Sequence, residues 1–106
     1  MQVNKYSEEK EFDILVFGGA LVEQVIEVPR LPKTNQDNVH FKKMAVLPGG
    51  SGANVAVYGA RLNSSTRLID KWGNDEFANF LETSLGHEGV DLELCKRVNG
   101  VPTPYM

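Results

Sequence analysis

Cysteine is almost missing from this sequence: Cys95 is the only one in 106 residues. An intrachain disulfide is therefore excluded, and a reducing, cytoplasmic setting is expected. Histidine is scarce too. His40 and His87 have no Cys or His partner at ligand spacing, so no metal site is expected and both read as surface residues. No run comes near the roughly 18 apolar residues of a spanning helix, so no membrane contact is expected. Residues 1–11 are polar and of mixed charge, without the apolar stretch of a secretory signal, and 1–12 read as a flexible leader. Positive charge is not in excess: 11 Lys and Arg stand against 14 Asp and Glu, a net charge of −3. That balance argues against a nucleic-acid binder, which would carry a basic stripe. The 42% of hydrophobic residues excludes a disordered tail and suits one small domain or part of one.

Among the residues present, 13–17 form a short apolar run stopped by Gly18-Gly19, the pattern of a strand buried on both faces in a parallel sheet. Residues 22–29 favour a second extended piece, broken by Pro29 and Pro32. Residues 39–43 alternate with period two. These two pieces, about 22–29 and 39–47, predict a small antiparallel flap joined by a polar loop. A glycine-rich loop, 48–54, leads into a helix over 55–62. Its Ala53, Ala56 and Ala60 share one face suited to close packing on a sheet. Residues 66–70 read as a strand. A second helix follows, with Asn74 as N-cap and Phe77, Phe80, Leu81 and Leu85 as its apolar stripe. Gly86 or Gly89 ends it. Residues 92–98 and 101–106 read as extended pieces around an Asn99-Gly100 turn, as in a hairpin that the chain leaves unfinished. Strands alternating with helices indicate an α/β fold with parallel pairing. Only two strands of the main sheet are recognisable, so uncovered faces and marginal stability are expected.

The loop Gly49-Gly50-Ser51-Gly52-Ala53-Asn54 is the most specific chemical feature. Glycines let backbone N–H groups face a ligand at a helix start, and Asn54 both donates and accepts, which suits paired hydroxyls. The same glycines would equally serve a turn that only packs a helix closely. Gly50-x-Gly52 with Asp70 further on is also part of a dinucleotide fingerprint, but Val55 stands where its third glycine should be. Glu23 lies shortly after Gly18-Gly19, where a carboxylate at a strand end can accept from hydroxyls; a solvated flap position is the plain alternative. Cys95 reads as a half-buried structural thiol. Trp72, Phe77 and Phe80 read as core, and Lys42-Lys43 as a solvated strand edge.

Several strings taken together resemble the ribokinase-like carbohydrate kinases, the PfkB family. They are Ile14-Leu15-Val16-Phe17-Gly18-Gly19, Val28-Pro29-x-Leu31-Pro32, and Gly49-Gly50-Ser51-Gly52-Ala53-Asn54-Val55-Ala56. Arg61-Leu62, Gly73-Asn74-Asp75-x-Phe77, Gly89-Val90-Asp91 and Pro102-Thr103 follow in the family's order. The resemblance implies a three-layer α/β sandwich with a Rossmann-like parallel sheet and a small β-sheet lid, the lid falling at about 22–47 and 92–106. It implies transfer of a phosphoryl group from ATP, with Mg²⁺, to a hydroxymethyl group of a sugar or nucleoside.

Family members are much longer, and their catalytic base lies in a Gly-Ala-Gly-Asp-type motif that this sequence lacks. The chain is therefore expected to be an N-terminal, substrate-binding portion. It would have no catalytic residue of its own and no bound ATP or Mg²⁺ when alone. Carried over by position, Glu23, Gly49, Gly50, Ser51 and Asn54 would contact the sugar. The family usually has Asp where Glu23 stands. Ribokinases have Asn where Leu21 stands, and Lys where Ser51 stands. A homodimer through the lid is the partner that the resemblance allows, and a non-catalytic module that dimerises this way is the alternative reading.

Overall fold

The computed structural model describes residues 10–106, so most of the expected leader lies outside the described residues. Eight elements follow in order: β1 (Ile14–Phe17), β2 (Leu21–Glu27), β3 (Lys43–Gly49), α1 (Ser51–Arg61), β4 (Thr66–Ile69), β5 (Lys71–Gly73), α2 (Glu76–His87) and β6 (Lys96–Val98). β1 and β4 pair in parallel, from Ile14 opposite Thr66 to Phe17 opposite Ile69. The crossover between them runs through the β2–β3 hairpin and α1, as a parallel connection requires.

The small residues of α1 explain how close it sits. Ala53 and Ala56 are buried. A Cβ on Gly59 would lie 2.8 Å from Thr66 Oγ1 and 2.9 Å from Ile14 Cδ1, so only glycine lets the helix rest on β1 and β4 at this depth. On the far side of the core, α2 buries Ala78, Leu81 and Leu85, with Phe77 and Phe80 packed at the margin. Val22, Leu68, Trp72 and Val90 complete the core. The other face of the β1–β4 pair is open: Leu15 and Phe17 are exposed. Two strands cannot cover themselves, and this is the uncovered face that the sequence predicts.

Four local expectations are corrected. The helix begins at Ser51, because Gly50 alone takes the positive φ (92°) that ends β3 and residues 51–54 wind as helix. The N-cap of α2 is Asp75, not Asn74: its carboxylate accepts from the Ala78 N–H at 2.9 Å. Residues 39–42 are not strand. Pairing closes at Glu27 opposite Lys43, and Pro29 follows without an N–H for the ladder. The expected hairpin around Asn99-Gly100 does not form either. The turn is there, but β6 pairs in parallel with β5, a strand the sequence did not announce. Residues 104–106 run instead beside β2, with the Val22 N–H donating to Pro104 O and the Met106 N–H to Val22 O.

Two glycine substitutions separate close packing from propensity. A Cβ on Gly52 would sit 1.7 Å from the Gly18 carbonyl oxygen, whereas one on Gly86 meets only Leu92 Cδ1 at 4.0 Å. In urea denaturation Gly52→Ala is expected to destabilise by about 2 kcal/mol or more. Gly86→Ala is expected to be neutral or to gain up to about 1 kcal/mol. Equal effects would contradict the packing.

Candidate functional site

The site begins where β1 ends. Gly18 and Gly19 take φ of 69° and 80°, left-handed values that turn the chain from β1 into β2. The turn leaves the Gly19 carbonyl facing the start of α1. That helix has no side-chain cap, and its first N–H groups have no partner within the helix. The Gly19 oxygen supplies one: it accepts from Gly52 N at 3.1 Å and from Ala53 N at 3.4 Å. A Cβ on Gly50 would lie 2.1 Å from that same oxygen. Two glycine turns thus meet backbone to backbone. This corrects one expectation, since the N–H groups of Gly52 and Ala53 face Gly19 and are not free to bind a ligand.

Around this contact the five candidate residues come to one bend. Glu23 is half-buried on β2, and its Cγ, Cδ and Oε1 lie 2.3–2.5 Å from where a Cβ of Gly49 would be. The carboxylate therefore rests across Gly49, and any side chain there would push it away. Gly49 and Gly50 form the bend. Ser51 and Asn54 are exposed on the first turn of α1, and the Asn54 N–H donates to Gly50 O at 2.9 Å. Asn54 also borders a hollow of about 300 Å³ walled by Leu47, Pro48 and Tyr58. Leu47 is the strand partner of Glu23, and directly paired residues share one face of a sheet.

A profile of the pfkB family of carbohydrate kinases matches residues 11–105. The chain belongs to that family. A ribokinase of Arabidopsis thaliana is 34% identical over 87% of this chain and 24% of its own length. A nucleoside kinase of Methanothermobacter thermautotrophicus is 33% identical over 87% of this chain and 29% of its own length. The solved Arabidopsis thaliana ribokinase, complexed with ribose and ATP, superposes with a TM-score of 0.77 at 32% identity, over 89% of this chain and 30% of that one. This chain thus spans about a quarter to three tenths of these pfkB proteins. Its fold is the ribokinase-like α/β sandwich, with the parallel β1–β4 pair in the Rossmann-like sheet and β2–β3 as the small antiparallel sheet.

The pfkB strings gain physical reasons. Asp75 accepts from Thr103 N at 2.9 Å and from Thr103 Oγ1 at 2.6 Å. Thr103 is fully buried, and a Cβ on Gly73 would lie 2.3 Å from Val101 O. Asp75 therefore bolts residues 101–103 onto the start of α2, which brings 104–106 alongside β2, the strand that carries Glu23. Neither residue stood out as a partner of the other in the sequence; they are 28 positions apart with no local pattern between them.

Asp70 answers the dinucleotide reading. Its two oxygens accept from Ala20 N at 3.1 Å and Lys71 N at 2.7 Å, so it braces the turns after β1 and β4. Cys95 is half-buried, its Sγ donating to Leu68 O at 3.3 Å, and burial pushes the thiol up to about 11. That is an inert structural thiol. A larger hollow of about 640 Å³ lies on the open face, lined by Phe17, Gly18, Ile69, Asp70 and Leu94, and so reaches the turn after β1. Among the described residues no three His, Cys, Asp or Glu side chains gather to hold a metal ion.

The bonds from Thr103, then from Ala78, hold the Asp75 carboxyl below its ordinary 3.8. A lowered carboxyl stabilises the fold fully above the unfolded value, and that contribution is lost as pH falls through the folded one. Asp75→Asn is expected to be less stable than the parent at pH 7, with the gap narrowing below about pH 4. Denaturation at pH 7 and pH 3 measures it, and a gap that stays constant would contradict the role.

Proposed function

We propose that this chain forms the acceptor-binding part of an ATP-dependent kinase that phosphorylates a hydroxymethyl group of a sugar or nucleoside. The observation that carries the reading is the Glu23 carboxylate lying across Gly49, the end of the strand that leads into α1 with Ser51 and Asn54 on its first turn. A polyol offers adjacent hydroxyls. A carboxylate accepts two such donors, Asn54 can both donate and accept, and Ser51 adds a third polar contact. The missing side chain at Gly49 makes the room that the Glu23 carboxylate occupies, and the one at Gly50 makes room for the Gly19 carbonyl. The solved Arabidopsis thaliana ribokinase is complexed with ribose and ATP, which supports the substrate class. Phosphoryl transfer depends chiefly on positioning and on electrostatic stabilisation. These residues supply acceptor positioning. None of them is a candidate base, and among the described residues no three His, Cys, Asp or Glu side chains gather to hold a metal ion, so no step is routed through ATP or Mg²⁺ here. A single inert thiol suits the reducing cytoplasm.

A second reading is a module that associates through the lid. It is favoured by Ile26 and Met44, register partners on the outer half of the hairpin, each half exposed. Apolar side chains of that kind gain from being covered. The two readings are compatible, and size-exclusion chromatography across a concentration series tests the second.

Calorimetric titration of the chain with ribose and with a nucleoside tests the first. Glu23→Ala is expected to weaken binding roughly 10- to 100-fold, the effect of losing hydrogen bonds to a charged group. The 106-residue chain alone is expected to turn over no ATP. Unchanged affinity in Glu23→Ala would overturn the site, and turnover by the chain alone would overturn the division of labour.

A further inference from the structure

We infer that the larger hollow, at the carboxyl ends of β1 and β4, is a binding site for a small phosphate monoester with an apolar body, held by Lys71 and Lys96. The inference does not rest on the acceptor-site reading, since none of the five candidate residues lines this hollow. The two lysines are register partners on β5 and β6. Directly paired residues share a face of the sheet, and like charges placed so repel each other. Side chains alternate along a strand, so both lysines stand on the face away from buried Trp72. Both are exposed, and both line the hollow. Among the described residues neither ammonium forms an ion pair, whereas Arg30, Arg61, Arg67 and Arg97 each do. An anion set between the two lysines turns that repulsion into two attractions.

The other charges at the hollow are already committed. Arg97 gives its guanidinium to Glu82, Asn74 and Asn79, with Nε 2.8 Å from Glu82 Oε2. Asp70 spends its two oxygens on the N–H groups of Ala20 and Lys71. The lysine pair is what remains for a ligand. A phosphate monoester presents three outer oxygens, enough to reach both ammonium groups, and carries up to about two negative charges at neutral pH. The rest of the hollow selects the body. Its volume of about 640 Å³ leaves room beyond the phosphate, and falls within the span of about 300–1,000 Å³ common to ligand sites. Phe17, Ile69, Leu94 and Val98 form the walls, and Phe17 is 76% exposed. An aromatic or hydrocarbon body gains by covering them. Their side chains offer no donor or acceptor, so the hydroxyls of a sugar or the polar edge of a nucleobase would go unpartnered. This separates the ligand from the two reactants of the proposed reaction. The place suits a ligand too: open parallel sheets bind theirs outside the carboxyl ends of the strands, where Phe17-Gly18 and Ile69-Asp70 stand.

The test titrates the full 106-residue chain with phenyl phosphate, inorganic phosphate and phenol by calorimetry, and repeats the phenyl phosphate titration with Lys71→Met and Lys96→Met. Phenyl phosphate is expected to bind about tenfold or more tightly than either of the other two, because each of them reaches only half of the site. Its affinity is expected to fall as salt is added. Each lysine variant is expected to weaken it roughly 5- to 50-fold, the loss of one charge-assisted bond. Either variant also relieves the repulsion between the lysines, so it is expected to melt at or above the temperature of the parent, which separates lost binding from lost folding. Backbone amide shifts on adding phenyl phosphate are expected at Ile69, Leu94 and Lys96. Affinity unchanged in both lysine variants overturns the inference, and so does the absence of binding. Equal affinity for phenyl phosphate and inorganic phosphate overturns the apolar body. Shifts at Gly49 to Asn54 in place of the hollow overturn the location.

Discussion

One carbonyl oxygen organises the functional end of this chain. The Gly19 oxygen receives the first N–H groups of α1 and so takes the place of a helix cap. For this to happen the backbone of 18–19 must touch the backbone of 50–52, and a Cβ at Gly50 or Gly52 would intrude on that contact. The consequence reaches the hairpin. β2 leaves directly from Gly19 and β3 arrives directly at Gly50, so both strands are anchored at the same point as the helix. Glu23, two residues past the start of β2, and Asn54, on the first turn of α1, inherit fixed positions from a contact that neither makes.

A second, independent fastening acts from the other side. Asp75 caps α2 and also takes the N–H and hydroxyl of buried Thr103. Through it the end of the chain lies parallel to β2, with the Gln24 N–H donating to Met106 O at 2.8 Å. The strand that carries Glu23 is thus paired on both edges, by β3 and by 104–106. The hydroxyl-gripping role proposed for this carboxylate would gain from such support, because the geometry is set before a ligand arrives. The open outer face of β1 and β4 ends at Gly18 and Asp70, where Asp70 braces the turns after both strands.

Much of this was legible in the sequence, and the limits have physical causes. β1 and β4 are short apolar runs bounded by turn residues, so composition alone marks them. The alanine face of α1 and the Phe77–Leu85 stripe of α2 follow helical periodicity, which is a local signal. The five candidate residues were named from family likeness joined to their donor and acceptor chemistry, and the fold brings Glu23 against Gly49. What escaped was long-range or very short. β5 has three residues, too few for a pattern to emerge, and although β6 falls inside the expected extended piece 92–98, its parallel partner was not foreseen. The Gly19 cap and the Asp75–Thr103 bolt join residues far apart in sequence, and no window contains both partners. Asn74 was expected as the cap, whereas Asp75 takes that place and also accepts from Thr103, a partner no local pattern reveals.

The account turns on one bend acting as one binding site. Backbone amide shifts of the ¹⁵N-labelled chain, followed while adenosine or ribose is added, test it most directly. The account predicts saturable shifts that cluster at Gly19, Leu21 to Glu23 and Gly49 to Asn54, while Ile69, Leu94 and Lys96 around the larger hollow stay still. Shifts confined to that larger hollow, with the glycine bend silent, would contradict it.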